Sequence, residues 1–142
     1  MISMANDPAK EKEMKQAYVE YQMVQQQVQQ LQKQIETVQE QLQDIANVIA
    51  HLEEMKEVKQ GSKMLVPVAN GVFMKTSLLD NKDLFVNVGG NTTVTKSFSE
   101  VNEMLASQQK EMEDVYAQLV VQFQQLHSQS EKLEQDIQQL VK

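Results

Sequence analysis

The chain is 142 residues long and 41% hydrophobic but only 5% aromatic, with a net charge of −7. That acidity argues against nucleic-acid binding, which relies on basic side chains neutralising phosphates, and every positive charge here is a lysine. The lack of cysteine excludes disulfides, thiol catalysis and cysteine-bound zinc; a start without a basic-then-apolar signal pattern and the lack of a spanning apolar run lead us to expect a cytoplasmic protein.

Asp7-Pro8 reads as a helix start, with Pro8 at the first helical position. From Met14 to Leu52 the apolar residues follow a 3-4 rhythm. One set of heptad positions is Met14, Tyr21, Val28, Ile35, Leu42 and Ile49; the other is Ala17, Val24, Leu31, Val38, Ile45 and Leu52. No polar residue enters either set and no glycine or proline interrupts the run, so the pattern predicts one strand of a coiled coil over residues 8–60. The many glutamines between these positions then form a solvated face, not a disordered tract. The rhythm fails at Lys56 and Lys59, and Gly61-Ser62 is read as the helix stop.

The period then changes from 3.6 to 2. Residues 64–68 and 72–78 are strand-like and flank Asn70-Gly71, a hairpin turn signal; residues 84–88 and 92–96 flank Gly89-Gly90-Asn91, a second one. Pro67 cannot donate to a ladder, which places its strand at an edge or ends the pairing there. Isolated hairpins are marginal in water, so Leu65, Val66, Val68, Phe73, Met74, Leu84, Phe85, Val86, Val88 and Val94 are read as an oligomer interface.

Ser97-Phe98-Ser99-Glu100 reads as a capping box opening a second helix over residues 98–142. Its seam repeats at Phe98, Leu105, Met112, Leu119, Leu126, Leu133 and Leu140. In the complementary positions Val101 and Val115 are apolar but Gln108, Gln122, Gln129 and Asp136 are not, and Tyr116, Phe123 and Ile137 partly replace them one residue on. Two helices of similar length around a compact insert fold back as an antiparallel pair. Symmetric pairing sets facing residues at numbers summing to about 158, with Leu42 near Tyr116, Ile35 near Phe123 and Tyr21 near Ile137. The fold class is therefore α+β, mainly α: a long coiled-coil hairpin with two β-hairpins inserted between its helices.

In this order of elements, and in four sequence stretches, the chain resembles the alpha-class subunits of the prefoldin family. The stretches are Gly61-Ser62-Lys63-Met64-Leu65-Val66-Pro67-Val68, Val72-Phe73-Met74-Lys75, Val86-Asn87-Val88-Gly89-Gly90 and Val94-Thr95-Lys96-Ser97-Phe98. Two hairpins, not one, separate alpha-class from beta-class subunits. Ala69, Asn70 and Asn91 depart from the family's small-residue turns, and asparagine's access to φ > 0 is expected to accommodate them. The resemblance implies a single prefoldin-like domain over 1–142, in a hexamer of two alpha and four beta subunits whose hairpins form a β-barrel platform carrying coiled-coil arms. It further implies an ATP-independent chaperone, not an enzyme, that needs no cofactor, captures unfolded proteins and passes them to a group II chaperonin. The alternative is a structural or filament-forming coiled-coil subunit without client transfer.

Because polar residues interrupt the second seam toward the chain ends, pairing is expected to weaken there and free apolar side chains for clients. The candidates are Tyr21, Val24, Val121, Phe123, Leu126, Ile137 and Leu140 on or near the seam, Tyr18 and Met23 off it, and Met1, Ile2 and Met4 overhanging it. His51 and His127 have no companion at ligand spacing, so neither a metal site nor acid-base chemistry is expected from them.

Overall fold

In the computed structural model, which describes residues 8–141, the elements follow in the order helix, two hairpins, helix. They are α1 (Pro8–Lys56), β1 (Lys63–Ala69), β2 (Val72–Ser77), β3 (Leu84–Gly89), β4 (Thr92–Lys96) and α2 (Phe98–Val141). The two helices, at 49 and 44 residues, make the chain mainly α. The described residues divide into two compact units, 8–41 with 112–141 and 42–111.

The first unit is a pair of helical segments. On α1 its core is Val24, Val28, Leu31 and Val38, all buried, with Met14, Ala17, Tyr21 and Ile35 half-buried beside them. Every expected seam position of α1 in this unit is thus withdrawn from solvent, and the Gln, Glu and Lys residues between them stay out, with Gln25 alone half-buried. On α2 the seam is formed by Met112, Tyr116, Leu119, Phe123, Leu126, Ser130, Leu133, Ile137 and Leu140, spaced alternately four and three apart. This corrects the sequence-based frame: Gln122, Gln129 and Asp136 are exposed and interrupt nothing, because the second row lies one residue further on. The cause lies nearer the start of α2, where the inward residues Val101, Leu105 and Gln109 are separated by two successive steps of four, which advances the stripe by one position.

The pairing is antiparallel, as expected, but its register is three residues lower. The Gln25 side-chain amide donates to Ser130 Oγ, and that of Gln39 donates to Tyr116 Oη at 3.3 Å; the residue numbers add to 155 in each pair, not about 158. Ser130 is 4% exposed, a polar residue within an otherwise apolar seam, and Gln25 satisfies its hydroxyl. A serine in this row has no place in a hydrophobic pattern, which is why sequence reading passes over it.

The second unit holds the end of α1, both hairpins and the start of α2. Phe98, Val101 and Leu105 are buried, and Leu42, Ile45, Ile49, Leu52, Met55 and Val58 are half-buried. Lys56 and Lys59 point to solvent, and the inward residues after Leu52 come every three positions. The helix therefore stops at Lys56, four residues short of the expected boundary, through tightened turns in which Glu57 N donates to Glu54 O and Val58 N to Met55 O, each at 3.2 Å. Gly61, at φ +83°, then reverses the chain. At the start of α2 the capping box forms as expected, with Glu100 N donating to Ser97 Oγ at 3.1 Å and Ser97 N to Glu100 Oε1 at 3.4 Å.

The hairpins are two separate two-stranded antiparallel sheets. In the first, Leu65 faces Lys75, Val66 faces Met74 and Pro67 faces Phe73, with a bulge before Ala69. In the second, Leu84 faces Lys96, Phe85 faces Thr95 and Val86 faces Val94, with a bulge before Gly89. The turns differ from expectation in one respect: the positive φ values fall on Gly71 (+75°), Gly89 (+139°) and Gly90 (+56°), and Asn70 and Asn91 stay at negative φ. Each asparagine has a glycine directly before or after it in the turn that takes the left-handed conformation without steric cost.

Candidate functional site

Two surfaces stand out, one in each unit. On the hairpins, a strand's alternating side chains point to opposite faces, and in the first hairpin both faces carry apolar residues, with Lys63 and Lys75 on the face of Leu65. Leu65, Pro67 and Phe73 share one; Val66 and Met74 share the other. These side chains are open to solvent, with Leu65 at 65% exposure and Phe73 at 57%, and Val68 and Met74 are exposed as well. The second hairpin divides its faces: Leu84, Val86 and Val94 are half-buried, whereas Phe85 is 75% exposed on a face otherwise made of Asn87, Thr93 and Thr95. Val88 is exposed beyond them. A two-stranded sheet with bare apolar faces lacks the burial that sustains a hairpin in water, so these residues need a covering surface. Sequence reading missed Leu79 in the linker between the hairpins, which among the described residues is the most exposed large apolar side chain. It follows the half-buried Leu78 and precedes the polar residues Asp80, Asn81, Lys82 and Asp83, where no periodicity marks it.

On the helical unit, the residues expected to be free for clients fall into three groups. Tyr18, Met23 and Val121 are exposed and lie outside the seam. Tyr21, Phe123, Leu126, Ile137 and Leu140 are half-buried in it. Val24 is 4% exposed and belongs to the core, which corrects its assignment to a client surface: as a seam residue it is consumed in pairing the helices. Met1, Ile2 and Met4 lie outside the described residues. The exposed set also includes Val19, one turn from Met23 on α1. On the same unit, Ala17, Leu133 and Leu140 line a groove of about 480 Å³ in volume together with Glu13, Glu20 and Asp136. Phe123 stacks on His127, ring centroids 5.9 Å apart, and His127 Nε2 lies 3.2 Å from Glu131 on the same helix face. Among the described residues no three His, Cys, Asp or Glu side chains are grouped to hold a metal ion, and no helix is long and apolar enough to cross a membrane.

Residues 24–142 match the family model described as Prefoldin subunit. Among curated proteins the chain is similar to a prefoldin subunit alpha of Pyrococcus horikoshii, 26% identical over 72% of this chain and 70% of that one. It is also similar to prefoldin subunit alpha 1 of Thermococcus kodakarensis, 31% identical over 76% of this chain and 72% of that one. Its fold is like that of a filamentous PFD from Methanocaldococcus jannaschii solved by cryo-EM, with TM-score 0.70 and 18% identity over 80% of this chain and 93% of that one.

Proposed function

Because the chain belongs to the prefoldin family, as a subunit of its alpha class, we propose that it works as an ATP-independent holdase in a hexamer of two alpha and four beta-class subunits. In this reading the hairpins assemble and the helical unit captures unfolded proteins, which pass to a group II chaperonin in the cytoplasm. The observation that carries the proposal is the contrast between the two units. The helical seam closes on itself, whereas the hairpins leave Leu65, Phe73 and Phe85 bare.

Covering these faces by a closed ring of other hairpins removes both the exposed apolar surface and the open sheet edges. Capture draws on the other exposed set. Tyr18, Val19, Met23 and Val121 offer adaptable apolar contact without opening the helix pair. Each contact is weak, and several arms acting on one client supply avidity. The function needs no bound cofactor and no reaction: an unfolded chain is held because its exposed apolar groups leave water.

The test is suppression of aggregation of an unfolding protein by the assembled complex at near-stoichiometric amounts, with and without Tyr18→Ser, Met23→Ser and Val121→Ser in this chain. Loss of suppression with the oligomer intact is expected; unchanged suppression refutes the assignment of these residues. A second reading, an open polymer without client transfer, draws on the likeness to the filamentous PFD fold, and a polymer in place of a closed complex would favour it.

A further inference from the structure

The linker between the hairpins carries a polar side chain with an unusual set of partners. The Asn81 side-chain amide donates to the backbone carbonyls of Met55 at 3.3 Å, Lys56 at 2.9 Å and Val58 at 3.0 Å. These carbonyls belong to the last turn of α1 and the residues just past it, where a helix runs out of its own donors. An amide nitrogen has two hydrogens, so three acceptors share them, and the group is enclosed by oxygens on that side.

The surrounding bonds hold the linker in position for this contact. Lys82 N donates to Asp80 Oδ1 at 3.1 Å, a local turn that encloses Asn81. Gly61 N donates to Leu78 O at 2.7 Å and Leu78 N to Ser62 O at 2.9 Å, extending the first hairpin back to the residue where the chain reverses after α1. Asn81 lies three residues after Leu78 and three before Leu84, where β3 begins. One side chain therefore ties the end of α1 to the point from which both hairpins depart.

We propose that Asn81 is a positioning residue for assembly, a strap that fixes both hairpins to the end of the first helix so that their apolar faces are presented in one orientation to partner subunits. The inference rests on the reading of the hairpins as the assembly surface. What the site demands is donation. Aspartate has nearly the shape of asparagine but has no hydrogen to give when ionised, and it brings a negative charge against three carbonyl oxygens at the negative end of a helix. Alanine removes the bonds without adding repulsion. The strap thus ranks Asn81→Asp as more damaging than Asn81→Ala, whereas a role in shape alone ranks them the other way.

The full chain with Asn81→Ala or Asn81→Asp is to be compared with the parent by amide hydrogen exchange and by native-mass titration against a beta-class prefoldin subunit. Exchange at Val58, Gly61 and Leu78 is expected to quicken about tenfold in Asn81→Ala and further in Asn81→Asp, with Val28 and Leu31 unchanged. Assembly is expected to weaken in the same order. Parent-like exchange in Asn81→Asp, or a milder effect than Asn81→Ala, overturns the strap. Assembly of both variants at the parental midpoint overturns its role in positioning. If the parent chain itself does not assemble, the platform reading fails and with it the assembly role, while exchange still decides whether the strap exists.

Discussion

The frame of the second helix is open to a paired substitution. Phe123 is half-buried in the seam and Gln122, its neighbour, is exposed. Truncating a fully buried phenylalanine to alanine costs about 3–5 kcal/mol, so Phe123→Ala at a half-buried position costs about 2 kcal/mol. In a unit of this size each kcal/mol moves the melting temperature by about 4–8 °C, giving a drop of about 10 °C. Gln122→Leu alters a solvated position and stays within about 0.5 kcal/mol of the parent. In the frame read from Phe98 and Val101 by strict sevens, Gln122 would occupy the seam, and leucine there would stabilise by about 1.5–3 kcal/mol. Thermal melts of the full chain followed by helical circular dichroism separate the two. Marked stabilisation by Gln122→Leu, with little change for Phe123→Ala, would falsify the frame derived from burial.

Other outcomes follow from single contacts. Ser97→Ala removes the hydroxyl that accepts from Glu100 N and is expected to cost about 1 kcal/mol in chemical denaturation; no change would mean that the capping box is not formed in solution. At Gly71 nothing lies within 4 Å of an added Cβ, so Gly71→Ala should cost only the left-handed backbone penalty of about 1 kcal/mol, and a much larger loss would reveal packing against the turn. Phe73→Ser with Phe85→Ser alters two exposed side chains, so the melt of the isolated chain should stay within about 1 kcal/mol while assembly with a beta-class subunit is lost; retained assembly contradicts the platform reading.

How much of this was legible in the sequence depended on the range of the interaction. The α1 seam was readable because its heptad positions are apolar without exception, and each of them is buried or half-buried. The hairpins were readable because Gly71, Gly89 and Gly90 mark the left-handed turn positions, although the neighbouring asparagines were expected to share that role and do not. The register was misjudged by three residues because symmetric pairing across the insert ignores the polar bonds that fix it, from Gln25 to Ser130 and from Gln39 to Tyr116. The second seam was misread because a shift of one position after Val101 leaves enough apolar residues in both frames to look continuous.

Of the candidate surfaces, the exposed hairpin residues could be anticipated from their excess over what two strands can bury. Val24 could not be separated from Tyr18 and Met23 without knowing how tightly the helices pair. Asn81 gave no signal at all, because its partners lie more than twenty residues back in the chain and are backbone atoms.

The central claim is that the bare hairpin faces close a defined hetero-oligomer. Native mass of this chain, alone and mixed with a beta-class prefoldin subunit, tests it most directly. A hexamer containing two copies of this chain is the expected result. A long homopolymer indifferent to the added subunit would contradict the account and leave client capture by this chain without its supporting assembly.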